Sequence, residues 1–245
     1  MNDGRRRAEV DGEISRILVF TKTTGYRHDS IPAGVEAFER LGLEHGFAVE
    51  ASEGVHAFRK GRLARYDAVV FLSTSGEVLD DEGREALVAY MDGGGSWLGV
   101  HGASTTEYDW PYFGELVGAW FDQHPAVQPA VMRVEDDTHP ATAHLGTSWA
   151  RTDEWYSFRR NPRADVRVLL SVDEAGYEGG TMGPDHPIAW CRDFGGGRSF
   201  YTALGHADEA YLDVPFQQHL LGALNWLGVS TGGARPLEDG QAQRF

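Results

Sequence analysis

Four short apolar segments in the first hundred residues predict buried strands, at 14–20, 47–51, 67–72 and 96–100. The run Ile17-Leu18-Val19-Phe20 and the third segment are almost wholly apolar. That composition is typical of strands covered on both faces, as in a parallel sheet, and differs from the strict alternation of a half-exposed strand.

Segments with helical spacing separate these strands. A helix is predicted from Ile31, because Ser30 can cap its first turn, Pro32 is placed early, and apolar residues then recur at the spacing of one helical face. A second helix opens at Asp80 and Asp81 and stops at the glycine triplet 93–95. This alternation predicts the α/β class, with a doubly wound parallel sheet carrying helices on both faces.

The rest of the chain is interpreted as an elaboration of the same domain. Residues 109–163 are rich in Trp, Tyr, Phe and His and predict short helices and loops around one strand, 129–134. Later elements are predicted as strands 166–172, 187–192 and 199–204, a hairpin turn at 195–197 and a helix from Pro215. We expect a single domain over 14–229, a flexible N-terminus over 1–13 and a loose tail over 230–245.

The net charge and the cysteine count limit the kinds of molecule that this protein is expected to bind and the covalent links it can form. The 245 residues include 22 basic and 37 acidic ones, so the formal charge is −15, which disfavours nucleic acid and anionic membrane surfaces. A small neutral or cationic molecule fits better, and exposed aromatic loops permit a homo-oligomer. Cys191 is the single cysteine, which excludes an intramolecular disulfide. No stretch has the length of a membrane span or a signal sequence, so the cytoplasm is the expected compartment.

Candidate chemistry lies where predicted strands end, because ligands of open parallel sheets bind beyond the carboxyl ends of the strands. His101 directly follows a buried strand and precedes Gly102, with Ser104 close behind. Strand, tight turn and helix is the geometry that raises a nucleophile above an α/β sheet, and here the raised side chain is an imidazole. His101 is a candidate acid, base or metal ligand; the alternative is a histidine that only bonds neighbouring loops.

A second imidazole with a nearby carboxylate follows a late strand, as His206 and Asp208. Two interpretations are equally supported locally: the carboxylate orients the imidazole, or Asp208 caps the next segment. Tyr26, Arg27 and His28 follow the first strand and are candidates to bind sugar hydroxyls or a carboxylate, or else simply bond neighbouring loops.

Acidic and aromatic residues stand together at 153–156, where Glu154 precedes Trp155 and Tyr156. Carboxylates beside aromatic faces suit carbohydrate, although for Trp155 alone a place in the core is favoured. Proline follows three histidines, of which His124 and His186 are the better candidates to line a site.

Metal and phosphate binding have no local motif in this sequence. There is no His-Glu-x-x-His pattern, although His101, His206 and a carboxylate that converge in space could hold zinc or another divalent ion. No Gly-x-Gly-x-x-Gly follows the first strand, so a dinucleotide site is not supported. No cofactor is required by the sequence.

Taken together, these segments resemble the ThuA-like family, named for trehalose utilisation, over about residues 14–229. The matching segments are 24–28 (TGYRH), 98–103 (LGVHGA), Phe121 with 124–125 (HP), 153–156 (DEWY), 186–190 (HPIAW), 197–206 from Gly-Arg to Leu-Gly-His, and Phe216, His219 and Trp226.

The resemblance implies a flavodoxin-like, class I glutamine amidotransferase-like fold, a connection with sugar metabolism, and a partnership with oxidoreductases that handle 3-keto sugars. In glutamine amidotransferases the tight turn between one strand and the following helix, called the nucleophile elbow, carries a cysteine. A later strand ends in a histidine with a glutamate two residues on. Here His101 occupies the elbow, and His206 with Asp208 resembles the later pair. Without an elbow thiol, glutaminase and cysteine-protease chemistry have no nucleophile, so we reject both.

Three functions stay open at this point. The first is an enzyme acting on a glycoside or 3-keto sugar by hydrolysis, elimination or isomerisation, in which His101 and His206 are acid and base and Asp208 orients the imidazole. Its pocket is expected to contain Tyr26, Arg27, His28, Ser104, His124, Glu154, Trp155, Tyr156 and His186. The second is a carbohydrate-binding or regulatory module without catalysis, and the third is a metal-assisted hydrolase that uses the same histidines.

Overall fold

The computed structural model describes residues 14–231, and within them the chain forms thirteen strands and four α-helices. The strands are β1 (Arg16–Phe20), β2 (Ala48–Ser52), β3 (Ala68–Leu72), β4 (Ser75–Gly76), β5 (Ser96–Val100), β6 (Thr105–Thr106), β7 (Phe121–Gln123), β8 (Gln128–Val134), β9 (Ser148–Asp153), β10 (Ser157–Phe158), β11 (Arg167–Val172), β12 (Pro187–Phe194) and β13 (Gly197–Thr202). The helices are α1 (Ile31–His45), α2 (Asp81–Asp92), α3 (Pro111–Val117) and α4 (Val214–Trp226).

Nine of these strands form the central sheet, in the order β2-β1-β3-β5-β13-β12-β11-β8-β9. The strands from β2 to β13 pair in parallel, as the alternating pattern predicts, and the α/β class is confirmed. From β13 onward the pairing is antiparallel. The predicted hairpin is confirmed, because β12 and β13 pair up to Phe194 and Gly197, and Gly195 takes a positive φ of 58° in the turn.

Helices cover both faces of the sheet, as two adjacent residues of β3 show. Phe71 lies 5.6 Å from the ring of Phe113 in α3. Leu72, whose side chain points to the opposite face, lies against Gly34 of α1, where an added Cβ would come within 2.8 Å of it. The sheet is therefore buried on both sides, which explains why β1, β3 and β5 are so apolar.

The main difference from the prediction concerns residues 109–163, where the chain forms four strands and not one. The longest unpredicted strand is β9, which pairs only with β8 at the edge of the sheet. Its sequence, SWARTD, carries Arg151 and Asp153 on the inward side. These two charges pair at 3.1 Å, and this pairing allows the strand to bury them. The same charged residues make the segment resemble a loop in sequence.

The terminal predictions concern residues at the ends of the chain. The segment 1–13 and all but the first two residues of 230–245 lie outside the described residues. Within 14–231, no helix combines the length and apolar character that crossing a membrane requires.

Two buried histidines, His139 and His219, lie away from the carboxyl edge of the parallel strands. We expect them to lower the free energy of unfolding in acid. Burial lowers the pKa of His219 to about 3 and, together with Arg167, that of His139 to about 4. In the unfolded chain a histidine has a pKa near 6.5. Below that pH the unfolded chain therefore binds protons at these two histidines, whereas the folded chain does not until the pH reaches their lowered pKa values. Each group therefore lowers the free energy of unfolding by about 1.4 kcal/mol per pH unit from pH 6.5 down to its folded pKa.

Urea unfolding from pH 7 to pH 4 measures this slope. In His219→Leu the slope below pH 6 should fall by about 1.4 kcal/mol per pH unit, whereas His45→Gln, at the partly exposed end of α1, should leave it unchanged. An unchanged slope in His219→Leu would show that this imidazole is protonated in the folded protein.

Candidate active site

The turn after β5 holds His101 in an unusual backbone conformation. His101 has a positive φ of 49°, and Ser73, which follows the neighbouring strand β3, has one of 47°. The left-handed region costs an L-residue roughly 1–2 kcal/mol, so packing must hold both residues there. Gly102 permits the close approach, because a Cβ at that position would lie 3.1 Å from the Cα of Ser73. The strand-turn geometry predicted for His101 is therefore present.

A backbone carbonyl sets the proton position on the His101 ring. Nδ1 of His101 lies 2.7 Å from the carbonyl oxygen of Ala203, which can only accept, so Nδ1 carries the proton. The other ring nitrogen, Nε2, points toward Nε2 of His28 at 3.1 Å and toward Oε2 of Glu154 at 3.5 Å.

Glu154 is the carboxylate on which the histidines converge. Oε2 lies 3.2 Å from Nδ1 of His206, and Oε1 lies 3.0 Å from Nδ1 of His124. The His206 contact lacks the geometry of a directed hydrogen bond and is a charge contact. The rings of His101 and His206 lie 5.4 Å apart, so the two imidazoles that the sequence places far apart do meet at one edge of the sheet.

Asp153 connects the end of β9 to the end of β13. Its carboxylate accepts the backbone N–H groups of Gly205 at 3.1 Å and His206 at 3.2 Å. β9 lies at the edge of the sheet, but these two hydrogen bonds hold its carboxyl end against the segment that follows β13. The residues after β9 therefore lie over the carboxyl ends of the parallel strands. Sequence reasoning did not assign this role to Asp153; its position directly before Glu154 was the available signal.

Burial and mutual charge shift the pKa values of the site. Burial opposes ionisation of Glu154, but the contacts with His101 and His206 outweigh it and hold the pKa of this carboxyl well below its usual range. The contact with Glu154 raises the pKa of His206 against the effect of burial. Burial, assisted by His101 and His206, lowers the pKa of His28 to about 3, so His28 is neutral at pH 7.

An aromatic wall closes one side of the cluster. The Tyr156 ring lies 4.3 Å from that of His101 and 4.4 Å from that of Phe121, and the Tyr156 hydroxyl lies 3.4 Å from Nε2 of His28. Burial raises the pKa of Tyr156 far above neutral pH, so its phenol stays protonated. The wall excludes water from the buried side of Glu154.

Solvent reaches the cluster through its outer members. The side chain of His124 is 40% exposed and that of His206 is 26% exposed, whereas that of His101 is fully buried. Tyr26 is exposed at the same place, with its ring 4.8 Å from that of His28. A ligand can therefore touch His124 and His206 directly but not His101.

A cavity of about 730 Å³ lies at the other end of β5, beside Ser96. Its walls include Tyr66 and Tyr90 but, within the part of the chain that the structure describes, no histidine. The histidine cluster and this cavity therefore occupy opposite ends of the sheet.

Three predicted site residues are buried away from the open side. Trp155 is fully buried and donates its indole N–H to the carbonyl of Gln128, so it has no free face on which a sugar could stack. His186 is buried between the Tyr177 hydroxyl and the carbonyl of Tyr156, and supports the wall from behind. Ser104 is buried with its hydroxyl 2.8 Å from that of Tyr201.

Two further predicted site residues, Asp208 and Arg27, do not contact the histidine cluster as expected. Asp208 is exposed at the start of a short 3-10 helix, and among residues 14–231 the carboxylates that raise the pKa of His206 are those of Glu154 and Asp153. The carboxylate beside His206 is therefore Glu154, not Asp208, because Asp208 starts a new turn that leads away. Arg27 is half-exposed and pairs with Glu53 at 2.6 Å.

The arrangement can hold and transfer protons but offers no thiol nucleophile. Cys191 is buried in β12, where burial raises the pKa of its thiol to about 12. The elbow position holds an imidazole, and the outer imidazoles share one carboxylate. One ligand atom from each of His28, His101, Glu154 and His206 lies within 4.8 Å of the others, so these side chains could also hold a metal ion.

Comparison with known proteins points to one family. The family model ThuA, described as trehalose utilisation, matches residues 16–227. No curated protein sequence matches the chain.

Solved structures of ThuA-like proteins share the fold. One from Bacteroides uniformis is 24% identical with a TM-score of 0.73, covering 90% of this chain and 94% of its own. One from Parabacteroides merdae is 19% identical with a TM-score of 0.74, covering 93% and 94%. A β-galactosidase from Bacillus circulans sp. alkalophilus is 13% identical with a TM-score of 0.61, and the match covers 89% of this chain but 32% of that one.

Proposed function

Because the chain belongs to the ThuA family of trehalose utilisation, we propose that it is an enzyme that processes a glycoside or a 3-keto sugar derivative by proton transfer. The observation that carries the proposal is the convergence of His206 and His124 on the two oxygens of the buried Glu154 carboxylate. This arrangement supports proton transfer, because a carboxylate beside an imidazole stabilises the protonated form of that imidazole.

The roles follow from which groups a substrate can reach. His206 faces solvent and contacts Glu154, whose negative charge stabilises the imidazolium that forms when His206 accepts a proton. A carbonyl at C3 of the sugar acidifies the neighbouring C–H, so an imidazole base suffices to remove that proton. His124, on the other carboxylate oxygen, is placed to protonate the departing oxygen. Loss of the C2 proton forms a C1–C2 double bond as the C1–O bond breaks, which is elimination, and addition of water to that double bond gives net hydrolysis.

The buried side chains position these two groups. His101 is fully buried with one nitrogen committed to Ala203, so we assign it a supporting role and move the base to His206. The Asp153 carboxylate holds the backbone of His206 in place. Tyr26, exposed beside His28, offers a ring face against which a sugar can pack.

The small molecule is therefore a carbohydrate, and the charge of −15 fits an uncharged substrate. A cytoplasmic location is part of the same proposal. Self-association through exposed apolar residues such as Leu212 and Val214 is a further expectation.

The test is a panel assay of trehalose, simple α- and β-glucosides and the 3-keto form of each, with products followed by NMR. We expect product from at least one 3-keto substrate, and faster turnover of that substrate than of the parent glycoside. Calorimetry run alongside separates the alternatives. Tight binding of a sugar with no product after long incubation would contradict the enzyme and support the carbohydrate-binding module.

A further inference from the structure

The inner half of the site is a set of electron-pair donors, of which the proton-transfer roles use only Glu154. His28, His101 and Glu154 are 5%, 0% and 6% exposed, and they arise from three separate parts of the chain. Nε2 of His101 lies 3.1 Å from Nε2 of His28 and 3.5 Å from Oε2 of Glu154. Three acceptor-capable atoms thus share one small, dry volume.

Hydrogen bonds within the protein leave part of this cluster without a partner. Nδ1 of His101 donates to Ala203, which leaves Nε2 as the ring nitrogen that faces His28 and Glu154. Nε2 of His28 faces His101, whereas its other ring nitrogen, Nδ1, is buried without a hydrogen-bond partner among the described residues. A divalent cation between the three side chains would bind an electron pair from each of them.

We propose that His28, His101 and Glu154 hold a divalent transition-metal ion of the zinc type, with His206 on its open side. Two imidazoles and a carboxylate are a known ligand set of catalytic zinc, which keeps a fourth position for water or substrate. Zinc bonds of about 2.0–2.1 Å require tetrahedral ligand atoms about 3.3–3.4 Å apart. The 3.1 and 3.5 Å separations bracket this value.

The surroundings also resemble those of metal sites. Metal-bound histidines usually donate the second ring N–H to a carbonyl or carboxylate, as His101 does to Ala203 at 2.7 Å. The widest separation in the four-residue group is within 4.8 Å, which exceeds a tetrahedral edge, so ligation would draw the side chains slightly together. The inference rests on the proposed function only for its use: the ion would polarise a substrate oxygen beside His206.

The experiment measures metal binding without reference to activity. Protein purified without a nickel column is freed of metal by a chelator, then titrated with Zn²⁺ by calorimetry and with Co²⁺ by visible absorption. We expect one equivalent of Zn²⁺ to bind, visible bands of four- or five-coordinate Co²⁺, and a Tm raised by roughly 5–10 °C at about 100 times Kd.

Matched variants locate the ion. Glu154→Gln and His28→Gln should each weaken Zn²⁺ binding by about 100-fold or more, while His45→Gln, at the far end of α1, should bind as the unmodified protein does. Circular dichroism checks that each variant is folded. If one variant does not fold, the Co²⁺ spectrum of the unmodified protein, which reports imidazole ligation, decides in its place.

Failure of this inference and failure of the proposed function give different results. If Zn²⁺ and Co²⁺ bind no better to the unmodified protein than to Glu154→Gln, or give only six-coordinate Co²⁺ spectra, the metal site is wrong, whether or not sugars are converted. If one equivalent binds as expected, the metal site stands even when no sugar on the panel reacts.

Discussion

Replacing His206 with glutamine should lower kcat for the reactive sugar by about 10²–10⁴-fold, the usual contribution of a positioned acid or base. Glutamine keeps a polar group near Glu154 and retains the backbone N–H that Asp153 accepts, but it cannot take up a proton. Substrate binding through the neighbouring residues is kept, so KM should change little. Steady-state kinetics on the best substrate of the panel measures both constants.

The matched control is His45→Gln, which makes the same chemical change at the end of α1 away from the cluster. Its kcat should equal that of the unmodified protein. Because the His206 side chain is 26% exposed, its replacement should leave the Tm nearly unchanged. Full turnover by a folded His206→Gln variant would contradict the assignment of His206 as the base.

Replacing the buried Glu107 with alanine should destabilise the protein by about 3–5 kcal/mol, the usual cost of removing one partner of a buried ion pair. Oε1 of Glu107 accepts the backbone N–H groups of Val78 and Leu79, both at 2.8 Å. Oε2 accepts Nε of Arg84 at 2.8 Å. Alanine leaves two buried donors and a guanidinium group without this acceptor at the entrance to α2.

For a domain of this size the loss corresponds to a fall in Tm of about 6–20 °C, measurable by calorimetry. Glu107→Gln retains one acceptor oxygen and should cost less. Glu77→Ala removes a half-exposed carboxylate from the same guanidinium and should cost at most about 1 kcal/mol. Equal losses in Glu77→Ala and Glu107→Ala would contradict the importance of the buried contacts.

The turn after β5 places a buried imidazole at the position that the sequence predicts. At a φ of 49° it holds His101, whose side chain faces the other members of the cluster. The solvent-facing imidazoles, His206 and His124, come from the segment after β13 and the loop after β7.

The parallel half of the sheet could be predicted from the sequence because its signal is local. Strands covered on both faces must be apolar at nearly every position, so β1, β3 and β5 stand out in the chain, and the histidine after β5 stands out with them. The edge strand β9 could not be predicted in the same way. Its inward residues are charged, and only their mutual pairing makes them compatible with burial.

The sequence by itself determined the α/β class, the strand-turn at His101 and the presence of several imidazoles at strand ends. Only the tertiary structure decided which carboxylate joins them: Glu154 and not Asp208, with His28 beneath and Trp155 withdrawn into the core. The physical reason is that backbone periodicity is set by neighbours along the chain, whereas contacts among side chains more than fifty residues apart depend on how the strands pack and register.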